Sequence, residues 1–145
     1  MEGRMKSLNK PVIQEEITGC GIASVATIVG KTYSEMKVIA NSLDIYADDK
    51  SLWSDTGYVR QLLVHEGRKA SSNEVPFSSW DNLPDLALLS IKHHQEQGIN
   101  FWHWVVFYRS KKQAVVFDSN SQLEINVRTD FDEMQPAWFI EVQIF

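Results

Sequence analysis

Cysteine is almost absent from this chain of 145 residues, which has only Cys20. A single thiol closes no internal disulfide, so the sequence predicts a reducing compartment, the cytoplasm. Long apolar runs are missing too. None approaches the roughly 18 residues of a membrane span, and the segment Met1 to Ser7 lacks the apolar centre of a signal peptide. Clustered basic charge is also lacking. The formal net charge is -5, and no Lys/Arg cluster exceeds two or three neighbours, which argues against nucleic acid because phosphate recognition rewards a basic face. With no second cysteine and no HExxH-type spacing, nothing implies a metal site or a cofactor. No repeat, linker or low-complexity tract divides the chain. The expectation is one domain over residues 1–145, with 1–10 as a loose lead-in.

What remains is ordinary globular material. Hydrophobic residues make up 43% and charged residues 23%, and seven Phe with five Trp supply bulky core side chains. An apolar, small-residue run predicts a helix from Cys20 to about Val29, stopped by Gly30. Thr32-x-x-Glu35 reads as a capping box for a second helix over about Ser34 to Ser42. Asp44 to Asp55 reads as a loop, and Thr56 to His65 as a third helix ended by Gly67. The periodicity then changes. Leu86 to Ile91 predicts a buried strand, His93 to Asn100 a hairpin loop, and Trp102 to Tyr108 and Ala114 to Asp118 two further strands. Leu123 to Val127 and Ala137 to Phe145 are the remaining strand candidates. Helices first and antiparallel strands later point to an α+β fold, N-terminal helices packed on a C-terminal antiparallel sheet.

Four residues form a chemical constellation. Cys20 lies between Gly19 and Gly21 at a predicted helix start, where the helix dipole and a nearby imidazolium lower a thiol pKa. The two glycines leave open space for a substrate backbone beside the sulfur. His103, between two tryptophans at a strand start, is the candidate base; His65 closes a predicted helix and fits a capping or solvent position, and the adjacent His93 and His94 point to different sides of their element. Asp118 ends the neighbouring strand, so a hairpin would bring it near His103, where it could fix the imidazole tautomer. Gln14 could join the Cys20 amide as an oxyanion donor, worth about 3 kcal/mol. Each has a plainer reading. A lone cysteine is usually buried and inert, Asp-Ser-Asn is favourable turn chemistry, and a single glutamine is by default a surface residue.

The ordered blocks Gln14…Cys20-Gly-Ile-Ala-Ser, Leu83-Pro-Asp-Leu-Ala-Leu-Leu-Ser-Ile, His103-Trp-Val-Val-Phe and Val116-Phe-Asp118 resemble the bacteriocin-processing, double-glycine leader peptidases of the papain-like clan. The match spans about residues 11 to 140. The resemblance implies a papain-like fold, with Cys20 as nucleophile, His103 as general base and acid, Asp118 as orienting carboxylate and Gln14 as oxyanion donor. It also implies cleavage after a Gly-Gly pair in a leader peptide, with an ABC exporter as partner. Gly19 departs from the acidic residue common before the cysteine, and Ser119 from the proline common after the aspartate.

The sequence-level expectation is therefore a cysteine peptidase acting through an acyl-enzyme. Two alternatives stand beside it. One keeps the triad and makes the protein a deamidase, transglutaminase or acyltransferase acting on proteins. The other is a catalytically weak peptide-binding module with a vestigial site.

Overall fold

The computed structural model describes residues 10–111 and 113–143. Apart from Lys10, the expected lead-in lies outside them. Among the described residues three helices come first: α1 (Cys20–Val29), α2 (Tyr33–Ser42) and α3 (Gly57–His65). Six strands follow: β1 (Val75–Pro76), β2 (Leu86–Glu96), β3 (Ile99–Arg109), β4 (Ala114–Phe117), β5 (Val127–Arg128) and β6 (Pro136–Glu141). They form one antiparallel sheet in the order β1-β6-β2-β3-β4-β5. The arrangement is α+β, with N-terminal helices packed on the sheet.

The helix limits follow from local chemistry. Every residue from Cys20 to Ile28 is buried, as expected for a helix that is apolar all round. Gly30 ends it in the left-handed conformation, with its N–H on the Ala26 carbonyl. The capping box opens α2: the Thr32 hydroxyl accepts the Glu35 N–H, and the Glu35 carboxylate accepts the Thr32 N–H.

The sheet is covered on both faces, which is why its central strands read as continuous apolar runs. Trp104, Val106 and Leu88 pack with Ile22, Val25, Met36 and Leu62 of the helices. Val105, Phe107, Leu89 and Ile91 face the other way onto Met134 and Phe139, with Phe77, Trp80 and Phe131 packed against them.

Several boundaries differ from expectation. The supposed loop at 93–100 is the outer end of a long hairpin. Glu96 pairs with Ile99, and only Gln97 and Gly98 turn, both with positive φ (53° and 82°), which is type I′ geometry. Its side chains from Lys92 to Asn100 are exposed, so no alternation of apolar and polar residues marks it as strand. Residues 44–55 contain a short 3-10 helix, Lys50–Ser54. The strand expected over 123–127 is reduced to Val127–Arg128, and the terminal strand stops at Glu141. Among the described residues no helix is long and apolar enough to cross a membrane.

Candidate functional site

The start of α1 lies against the edge of β3. The ladder between β3 and β4 begins only at Val106, so the backbone of Trp104 needs other partners. Cys20 and Ser24, one turn apart on α1, supply them. The Cys20 sulfur accepts the Trp104 N–H at 3.4 Å, and the Ser24 hydroxyl donates to the Trp104 carbonyl at 3.4 Å. Cys20 is 2% exposed.

The flanking glycines do not leave open space. A Cβ on Gly21 would collide with the Tyr58 ring and hydroxyl, and one on Gly19 with the Tyr33 hydroxyl. Glycine is required here because the two tyrosines already occupy the volume. Tyr58 is itself buried, and its hydroxyl finds no hydrogen-bond partner among the described residues.

His103 and Asp118 meet at the sheet end. His103 Nε2 donates to Asp118 Oδ1 at 2.7 Å. The same oxygen accepts the Asn120 N–H at 3.0 Å, and Oδ2 accepts from Arg128 Nη1 at 2.9 Å. The Asp118 carboxylate is fully buried. Burial raises its pKa, but the hydrogen bond and charge of His103, with the Asn120 and Arg128 contacts, bring it down to about 2. For His103 burial disfavours the charged ring. Its hydrogen bonds to Asp118 and to the Cys20 side chain outweigh that and push the pKa up to about 10. At neutral pH the ring is therefore an imidazolium between a carboxylate and the buried sulfur.

Gln14 lies beside this row with its side chain fully engaged. Nε2 donates to the carbonyls of Glu16 at 3.0 Å and Ile17 at 3.1 Å, and Oε1 accepts from the Ser119 hydroxyl at 2.7 Å. An amide with both hydrogens on backbone carbonyls has none left for an oxyanion.

Two clefts meet at His103. One, of about 280 Å³, is walled by Trp53, Phe101 and Trp102, with Lys92, His94 and Glu96 at its sides. Trp53 meets Phe101 edge to face, 6.2 Å between ring centres. The other, of about 220 Å³, is polar and lined by residues 14–17 and by Asn120, Ser121 and Gln122. Ile17 is exposed at its rim.

The structure thus brings Cys20, His103 and Asp118 into one hydrogen-bonded row, with Gln14 alongside. It also corrects the chemistry expected of them. The only cysteine is buried, its sulfur is hydrogen-bonded to a backbone amide, and tyrosines fill the space that a substrate backbone was to use. Among the described residues there is no group of three or more His, Cys, Asp or Glu that could hold a metal ion either. The cysteine-peptidase reading is overturned on these grounds. The catalytic triad as a working device goes with it, as does the deamidase, transglutaminase or acyltransferase alternative. All of them need a thiol that a carbonyl carbon can reach.

Sequence reasoning missed Arg128, Tyr58 and the aromatic wall at Trp53 and Phe101. The only signal for Arg128 was a lone basic residue after Val127, opposite an acidic strand end. Neither the comparison with protein-family models nor the comparison with characterised proteins finds a match for this chain.

Proposed function

We propose that the domain is a peptide-binding module that holds an extended peptide across His103 without cleaving it. The observation that carries this reading is the meeting of an aromatic and a polar cleft at His103, above a sealed thiol. A large apolar side chain of the peptide sits against Trp53, Phe101 and Trp102. The adjoining backbone runs past Asn120 and Gln122, where polar side chains can answer its amides. Resemblance to the double-glycine leader peptidases supports a leader peptide as the occupant, a papain-like layout for the domain and an exporter as its wider context.

The affinity to be expected is modest. Burial of one Leu- or Phe-sized side chain contributes about 2 kcal/mol, and each backbone hydrogen bond about 1 kcal/mol. A handful of such contacts, less the cost of ordering the peptide, leaves roughly 5–6 kcal/mol, a Kd on the order of 100 μM.

The test is calorimetric titration with a synthetic leader peptide bearing an apolar segment followed by Gly-Gly, with mass spectrometry of the recovered peptide. The expected result is binding with a Kd on the order of 100 μM of a peptide that stays intact. Trp53→Ala and Phe101→Ala should each weaken it about tenfold, the effect of losing roughly 1.4 kcal/mol of contact. Absence of binding, or a peptide cut after Gly-Gly, would overturn the reading.

A further inference from the structure

We infer that Arg128 is the positioning residue of this site, holding Asp118 in the orientation from which its carboxylate grips His103. The relevance of that grip to ligand binding rests on the peptide-binding reading; the grip itself does not.

Asp118 follows directly after β4, and its two oxygens have separate duties. Oδ1 serves His103 and the Asn120 amide, and Oδ2 serves Arg128. Without the guanidinium, Oδ2 would be a buried acceptor with no partner, which costs free energy that the carboxylate can escape only by turning. Turning takes Oδ1 away from the imidazole. Arg128 is in turn fixed from two sides. Its backbone pairs with Val116 across the β4–β5 ladder, and its Nε and Nη2 make a two-point contact with the Asp130 carboxylate at 3.0 and 2.8 Å. The Arg128 side chain is only 10% exposed, and Asp130 closes it from the solvent side. A planar fork can face Asp130 with two nitrogens and Asp118 with the third, which a lysine ammonium cannot reproduce.

The ionisable groups around the imidazole are Cys20 from α1, Asp118 after β4, Glu15 and Glu16 across the polar cleft, and Lys92, His94 and Glu96 across the aromatic one. Asp118 and Cys20 are the two that hydrogen-bond to it.

Two roles for Arg128 predict opposite results. As a nearby cation only, its removal would leave Asp118 more strongly attracted to the imidazolium, and His103 would titrate higher. As a positioning residue, its removal releases Asp118, and His103 falls toward the ordinary imidazole value of about 6.5. The experiment is an NMR titration of the His103 ring nitrogens in the peptide-free protein, for wild type, Arg128→Met, Arg128→Lys and Asp130→Asn. The expected order of His103 midpoints is wild type highest, Asp130→Asn and Arg128→Lys intermediate, and Arg128→Met lowest. If Arg128→Met does not fold, the two milder variants carry the comparison. An unchanged or raised midpoint in the folded variants overturns the inference, even if their melting temperatures drop. Because no peptide is present, failure of peptide binding and failure of this inference are read separately.

Discussion

A cysteine whose sulfur meets a backbone N–H and the His103 ring, under the cover of two tyrosines, behaves as a small hydrophobe with two polar duties. Two consequences can be measured. Iodoacetamide should label Cys20 after denaturation and leave it unmodified in the native protein over the same interval; native labelling at the rate of a free thiol would contradict the burial. Cys20→Ala should cost about 1–3 kcal/mol, because the Trp104 N–H loses its acceptor. Cys20→Ser keeps an acceptor in place and should melt above the alanine variant in thermal denaturation. The sequence displayed the residues of this site better than their accessibility. His103 and Asp118 could be placed together because each ends an apolar strand run. The volumes of Tyr33 and Tyr58 come from segments well downstream of Gly19 and Gly21. Nothing in the local pattern says that those glycines are crowded, and the same Gly-Cys-Gly string suits an open turn and a closed one.

The elements divide by how much core they touch. α1 and α2 were legible because periodicity, the capping box and Gly30 agree. The outer β2–β3 hairpin was not, because residues 92–100 face solvent and carry no core pattern. Its geometry depends instead on a two-residue turn in which Gly98 holds a φ of 82°. Gly98→Ala puts a Cβ into that left-handed position and should destabilise the hairpin by about 1 kcal/mol. Faster amide exchange at Gln95 to Phe101 would be the sign, with the amides of Leu88 and Val106 unchanged. Equal acceleration throughout the sheet would mean that the arm is not an independent unit. β5, expected over 123–127, was placed too early and too long for another reason. Two residues are too few to show a period, and the strand is held by the Arg128 side chain as much as by its ladder.

For the molecule as a whole, the paired charges at the sheet end link stability to pH. His103 rises from 6.5 to about 10 on folding. Its contribution is therefore complete below about 6.5 and is lost as the pH climbs through 10. Asp118 drops from 3.8 to about 2, so its contribution is present above 3.8 and is lost as the pH falls through 2. Chemical denaturation across this range should find a plateau between about pH 4 and 6.5, then a decline toward pH 10 on the order of a few kcal/mol. In Asp118→Asn the alkaline decline should flatten. A wild-type profile equally flat would mean that the pair contributes no net stability.

The strand order carries a consequence for how the chain folds. Among the described strands β6 comes last in sequence, yet it fills the gap between β1 and β2. The β2–β3 and β3–β4 hairpins join neighbours in sequence and can form before β2 pairs with β6, whose residues lie far along the chain. Until Pro136–Glu141 docks, Leu86–Ile91 is an open edge of almost purely apolar residues, the kind of edge that recruits other chains. The folding chain thus passes through a stage in which its sheet is half closed and at its most prone to aggregate, and it leaves that stage only when β6 docks.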